Sequence, residues 1–332
     1  MLTVAIPTFN RNHLLQAAVS GLLPQLGECE LLIIDNCSDT PVGTTLGPWL
    51  EASGVVNVRI VRNPVNLGSG ANLLRCLELC RTDWMYCLGD DDLVADDCIE
   101  TIERALDEHP AALYMSFSRS GMRRRHTFFT DGLADFVDRL DDWSTFLFMS
   151  SSVVHAGCLR AELRWGYLYA YSWAPFQVLL LKALARGGQV VFSEAMLCHE
   201  ESLADETWVP FPVAAGKMVL PELIDDPAIR TRFARKLMGQ PSLPSLVYRA
   251  RANGAGDAAA MAANRFFVEL YIRRCQMYVG GARLWLVRAM AFVVLRPRLM
   301  PTPLFRLVER LAFGAVGRRV PVAARPMSGD RA

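Results

Sequence analysis

Three adjacent carboxylates, Asp90, Asp91 and Asp92, follow Gly89 at the end of an apolar run over 84–88. Neighbouring carboxylates disfavour each other's ionisation, a cost that falls when a cation sits among them. Mg2+ or Mn2+ suits that arrangement, held by one or two carboxylates and completed by a diphosphate. The plainer reading is an acidic turn in which Asp92 or Asp96 caps the next helix. Three more polar clusters precede it: Pro7-Thr8-Phe9-Asn10-Arg11, Asp35-Asn36-Cys37-Ser38-Asp39 and Asn63-Pro64-Val65-Asn66-Leu67-Gly68. Singly, each has the composition of an ordinary turn. Together they matter because each follows an apolar, β-branched segment.

Those segments set the frame. Strand patterns run over 2–6, 30–34, 56–62, 84–88 and 112–118. Helical spacing fills 12–23, 44–52, 71–80 and 96–108 between them. Strands separated by single helices predict a parallel, right-handed α/β sheet covered on both faces. Ligands of such sheets collect at the carboxyl ends of the strands, where all four clusters fall. Further strands are expected at 150–154 and 189–192, and helices at 132–147 and 175–186, the latter stopped by Gly187-Gly188. Pro221, Pro227, Pro241 and Pro244 read as a linker, and residues 205–212 as a loop. Helical periodicity resumes over 258–319.

Composition narrows the class. The chain is 52% hydrophobic and 21% charged, which is globular rather than disordered. Its formal charge of +1 hides an asymmetry: residues 261–332 hold 13 Lys+Arg and 3 Asp+Glu, against 22 and 31 in the rest. An acidic body excludes a general nucleic-acid binder, and the basic, apolar tail points to an anionic surface. Nine cysteines, an odd number with no CxxC, predict reduced thiols in a cytoplasmic protein. Residues 1–10 have no basic leader pattern, and no run of ~20 uninterrupted apolar residues predicts a spanning helix. Over 261–325 there are twelve Arg, no Lys and two acids, with Trp285, Met290, Phe292, Phe305 and Leu311 among the apolar positions. Two readings stay open: helices lying in a membrane interface with arginines on anionic lipid, or a helical cap packed on the body.

The motifs Ala5-Ile6-Pro7-Thr8-Phe9-Asn10-Arg11, Ile33-Ile34-Asp35-Asn36-Cys37-Ser38-Asp39, Asn66-Leu67-Gly68-Ser69-Gly70-Ala71-Asn72 and Leu88-Gly89-Asp90-Asp91-Asp92 resemble a family 2 glycosyltransferase of the GT-A fold. The asparagine-led second motif is similar to the abequosyltransferase-like branch of bacterial surface-polysaccharide enzymes. The resemblance is strong over 1–110 and fades by about residue 200. It implies a Rossmann-like, mostly parallel sheet over 1–215, with a nucleotide-sugar half (1–118), an acceptor half (119–215) and a helical, basic C-terminal region (216–332). It implies a sugar passed from a nucleoside diphosphate sugar to a lipid-linked glycan or polysaccharide acceptor, with Mn2+ or Mg2+; on the membrane reading of the tail, the cytoplasmic protein would be peripheral at the inner face of the membrane. By position, Pro7, Thr8, Asn10 and Arg11 would line the nucleotide pocket. Asp35 would bond the base, with Asn36 supporting it. Gly68 would allow close backbone approach, and Asn72 would lie near the nucleotide. Asp90 would contact the ribose or sugar, Asp91 would hold the sugar side, and Asp92 would bind the metal, which His199 would help complete.

The sequence departs from the family at the general base. Relatives carry a Glu-Asp pair ahead of a glycine, whereas the stretch before Gly187-Gly188 reads Phe176-Gln177. An amide has no useful pKa near neutrality. Asp131 and Asp135 are the substitutes, unless both simply face solvent. The same gap motivates a degenerate domain that binds nucleotide or scaffolds a complex. A sugar nucleotidyltransferase is the remaining alternative, but its Gly-rich first loop is absent from Pro7–Arg11. Trp173 is either a sugar-stacking ring or ordinary packing, and His155 is a core or acceptor-wall residue.

Overall fold

The computed structural model describes residues 1–119, 121–199, 210–238, 243–254, 256–278, 282–296 and 298–313. The chain forms two compact units, Met1–Ala204 with Leu223–Ile229, and Asp205–Glu222 with Arg230–Ala332.

In the first unit the strands are β1 (Leu2–Thr8), β2 (Glu30–Asp35), β3 (Val58–Arg62), β4 (Trp84–Cys87), β5 (Leu93–Val94), β6 (Ala112–Ser118), β7 (Phe128–Asp131), β8 (Ser152–His155), β9 (Gln189–Met196) and β10 (Cys198–His199). Eight of them form one sheet in the order β3-β2-β1-β4-β8-β6-β9-β7. β3, β2, β1 and β4 are mutually parallel, as are β6 and β9. β1 reads as a continuous apolar run because both its faces are covered: Val4, Ala5 and Ile6 have no exposed surface. The helix Asn12–Leu22 lays Leu15, Val19 and Leu22 into the cluster that holds Val4, Ile6, Ile33 and Tyr86. The helix Ser69–Leu79 starts after Gly68, whose φ of 78° is readily available only to glycine.

The sheet is mixed rather than purely parallel. β8 runs antiparallel between β4 and β6, and β7 runs antiparallel along β9. β5 and β10 make a separate antiparallel ribbon. The expected helix over 132–147 is broken into Gly132–Arg139 and Trp143–Leu147. Asp141 pairs there with Arg124 at 2.7 Å, and Asp142 caps the second piece by accepting from the Thr145 N–H. The proline-marked stretch is helical, not a linker. A 3-10 turn Leu220–Leu223 precedes helices Pro227–Met238 and Leu243–Asn253. Pro227 and Pro244 sit in first turns, where a missing N–H is harmless. Pro241 lies outside the described residues, as do positions 205–209 of the expected loop.

The second unit is helical among its described residues. The periodicity over 258–319 resolves into Ala258–Gln276, Ala282–Val294 and Thr302–Phe313, with 314–319 outside the described residues. Asp257 caps the first of these through the N–H groups of Ala259 and Ala260. Val268, Tyr271, Ile272 and Cys275 form its buried stripe. All nine cysteines are free thiols.

Candidate functional site

The carboxyl ends of β1 and β4 bring the first and last motifs into one hydrogen-bonded cluster. Thr8 Oγ1 donates to Asp90 Oδ2 at 2.7 Å. Arg11 Nη1 donates to Asp90 Oδ1 at 3.0 Å and to Asp91 Oδ2 at 2.9 Å. Burial pushes the Asp90 carboxyl above its ordinary value, and the Thr8 bond and the Arg11 charge oppose that shift only in part. Asp92 is 8% exposed. Its Oδ2 accepts from Ser150 Oγ at 2.5 Å, and Ser150 Oγ in turn accepts from the Gly89 N–H at 2.8 Å. A Cβ on Gly89 would lie 2.5 Å from Asp92 Oδ2 and 3.2 Å from Ser150 Oγ, so any larger residue there would displace the Asp92 carboxylate.

The second motif forms a loop anchor. Asp35 has no exposed surface. It accepts from the Ser38 N–H (2.8 Å), the Val42 N–H (3.2 Å) and Arg62 Nη1 (2.6 Å). Burial alone would raise its pKa, but these donors hold it below the ordinary value. A carboxylate so enclosed braces its own loop, which corrects the expected contact with a base. Ser38 Oγ accepts from the Asn10 N–H, and Asn10 and Asp39 bond reciprocally at 2.7 and 3.1 Å. Asn10 and Cys37 both sit at positive φ, 57° and 67°, one on each side of that contact. An asparagine ladder links the second and third motifs. Asn36 donates to Asn66, Asn63 donates to Asn36 and Asn72, and the Leu67 N–H donates to Asn36. Asn36 and Asn72 are buried at 3% exposure each, so they hold the loop up to Gly68 rather than line a surface. Gly68 has open space where a Cβ would stand. Pro7 continues β1 in register with Ile34.

His199 joins this edge through its backbone: β10 places it opposite Leu93, directly after Asp92. Asp131 and Asp135 do not join it. Asp131 ends β7 opposite Gln189, level with Ala112 at the start of β6. That is the amino-terminal edge of the parallel strands, opposite the one carrying Asp90–Asp92. Asp135 accepts there from the Asp131 N–H. Neither is placed to act as a base for this site, because an antiparallel β7 delivers its last residue to the wrong edge. Gln177 is a core donor, bonded to Tyr114 Oη and the Phe146 carbonyl. His155 packs edge-on against Trp84 and accepts from the Cys158 N–H at a helix start.

Ser150 and Arg62 were invisible to motif reading. Each has a partner far along the chain, 58 residues away for Ser150 and 27 for Arg62, and only the fold brings them together. Among the described residues no three His, Cys, Asp or Glu side chains form a ready-made metal cage. A single enclosed carboxylate fits a cation that completes its shell on a bound diphosphate.

Residues 3–147 match the model of the family "Glycosyl transferase family 2". Abequosyltransferase RfbV of Salmonella typhimurium is 28% identical over 120 residues, covering 35% of this chain and 35% of that protein. An uncharacterized glycosyltransferase of Haemophilus influenzae is 26% identical over 111 residues, 33% of this chain and 36% of that one. The chain thus spans about a third of the length of these relatives. Among solved structures, S. aureus TarS 1–349 in complex with UDP-GlcNAc has a TM-score of 0.59 at 13% identity, covering 94% and 92% of the two chains. The mannosyltransferase PcManGT from Pyrobaculum calidifontis, in complex with GDP-Man and Mn2+, has a TM-score of 0.53 at 13% identity, covering 95% and 87%. At these identities the likeness establishes the fold, a mixed, mostly parallel sheet flanked by helices, followed by a helical region.

Proposed function

We propose, from the match of residues 3–147 to the family 2 glycosyltransferase model, that this chain transfers a sugar from a nucleoside diphosphate sugar to a lipid-linked glycan or polysaccharide acceptor. The observation that carries the reading is the Thr8–Asp90–Arg11–Asp91 cluster beside the Ser150-held Asp92, all on the carboxyl edge of β1 and β4. Fold neighbours in complex with UDP-GlcNAc, or with GDP-Man and Mn2+, support a nucleotide-sugar donor. Arg11 holds Asp90 and Asp91 in one orientation and keeps a positive charge beside them. The positive-φ turns at Asn10 and Cys37, the Asp35 anchor and the asparagine ladder fix the loops between which a nucleotide would lie. Asp92, with His199 beside it in the chain pairing, would hold Mn2+ or Mg2+. When bound, that cation offsets the charge building on the departing nucleoside diphosphate.

A panel of UDP-, GDP-, CDP- and dTDP-sugars, with and without Mn2+, tests the reading by thermal shift. One nucleotide should give a metal-dependent shift, since ligand at 100 times its dissociation constant stabilises by ~2.7 kcal/mol. No shift with any of them would favour a degenerate scaffold instead. Gln177 does not argue for that alternative, because its amide is explained by the bonds it makes in the core.

The second unit supports a membrane-bound acceptor. Trp285, Leu286, Phe292, Leu299, Leu304 and Leu307 are each about half exposed or more, while Ala291, Val294, Leu295 and Phe305 are buried. Arg296 stacks 3.8 Å above Phe292, and Arg288 lies 5.9 Å from the Trp285 ring. No helix among the described residues is long and apolar enough to cross a membrane. An apolar outer face edged by arginine suits an anionic bilayer surface, where each basic residue contributes ~1 kcal/mol. Vesicles containing phosphatidylglycerol should pellet the protein and pure phosphatidylcholine vesicles should not. Arg288→Glu with Arg298→Glu should weaken the first by at least about tenfold. Equal pelleting of the double variant would remove the membrane from this proposal.

A further inference from the structure

Aromatic side chains stand at 165, 167, 169, 171 and 173. Alternation would turn them to one face of a strand, but here they ride on a short helix, Leu163–Leu168, and a 3-10 turn, Ala170–Ser172. Three of the rings stack in succession. Trp165 and Tyr169 lie 6.3 Å apart at 29°, and Tyr169 and Tyr171 lie 6.1 Å apart at 30°. Tyr171 is 57% exposed and Trp173 44%. Large rings normally bury most of their surface, and an exposed run of them marks an interaction site. Trp173 also sits at φ 60°, a left-handed conformation that is an outlier for a bulky residue. Ser172 and Ala174 on either side are fully buried, so the strained backbone is pinned while the indole stays in solvent.

The turn is seated against the donor edge. The Ala170 carbonyl oxygen lies 2.3 Å from where a Cβ of Gly70 would stand, a close approach that only glycine permits. Gly70 belongs to the first turn of the helix that Gly68 opens. At the other end of that helix, Tyr167 Oη donates to Glu78 Oε2 at 2.8 Å, and Arg75 pairs with Glu78 at 2.7 Å. The rings therefore follow one helix away from the rim where the asparagine ladder ends. Lys182 Nζ stands 4.6 Å from the Trp165 ring centre.

We propose that Tyr171 and Trp173, backed by Tyr169 and Trp165, form the acceptor-glycan subsite. Sugar rings would stack there on their apolar C–H faces and reach the donor from the Gly70 side. This rests on the glycosyltransferase reading and adds to it the place where the acceptor's sugar rings would bind and the residues that would hold them. The occupant is a glycan because the surface combines flat ring faces with tyrosine hydroxyls and continues directly from the donor rim.

The test uses the full chain as wild type, Tyr171→Ala, Trp173→Ala and the double variant, on an array of bacterial surface glycans. Nucleotide-sugar thermal shift and light scattering run alongside. Wild type should retain array glycans, and each alanine should cut the apparent affinity by about tenfold or more. The donor shift should stay unchanged, and Tyr171→Phe and Trp173→Phe should restore most of the binding. If the wild type shows its donor shift but binds no array glycan, or the double variant binds as wild type, the subsite is refuted. Dissociation of a dimer as the only change would instead make the strip a contact between copies. Absence of the donor shift in wild type would overturn the glycosyltransferase reading itself, and the subsite with it.

Discussion

Asp92→Ala should lower sugar transfer by about a thousandfold while leaving the fold in place. The carboxylate is nearly enclosed, 8% exposed, and Ser150 Oγ and Gly89 hold it in a single orientation. Its removal deletes one charge from a crowded row, so the variant should unfold within about 1 kcal/mol of wild type. Ser150→Ala should be milder, about 10- to 100-fold, because the carboxylate remains and only its bracing is lost. Circular dichroism, urea unfolding and Mn2+ titration by electron paramagnetic resonance separate these effects from misfolding. Near-wild-type turnover in Asp92→Ala would end the metal assignment. Equal losses in both variants would mean that Ser150 does more than orient Asp92.

Asp35→Asn should destabilise the first unit by about 2–4 kcal/mol at neutral pH. Two buried N–H groups and Arg62 lose a charged acceptor, and the new NH2 group faces donors. The effect has a pH signature. The folded Asp35 pKa is depressed below its ordinary 3.8. Its stabilisation is therefore complete above that value and disappears as pH falls through the lower folded pKa. Urea unfolding at about pH 7, 5 and 2.5 should show wild type ahead by a constant margin at the first two and by a smaller margin at the third. A margin unchanged at the acid end would mean that Asp35 does not carry the loop through its charge.

Much of the first half was readable because its signals are local. β1, β2 and β4 are apolar runs that end abruptly in polar clusters, and a parallel sheet places those ends along one edge. The direction of later strands was not readable. Phe128–Asp131 is only four residues long and follows a basic run, so nothing marked it as a strand. Its antiparallel course along β9 is what moves Asp131 and Asp135 to the far edge. Asp35 illustrates a different limit. Its type and position were recognised, but whether a carboxylate faces a ligand or its own loop depends on Ser38, Val42 and Arg62 meeting it in three dimensions. The prolines of 221–244 misled because proline starts helices as readily as it ends them.

The insertion of β8 between β4 and β6 has a consequence for how this unit can be divided. The family match ends at residue 147, just before Ser150 and β8. A chimera cut at that boundary would inherit the aspartate row but not the serine that orients it. It would also leave β4 and β6 with open edges on either side of a missing strand, the condition under which sheets pair with foreign chains. The indivisible module for exchange among relatives therefore extends at least through His199, where β10 closes on β5.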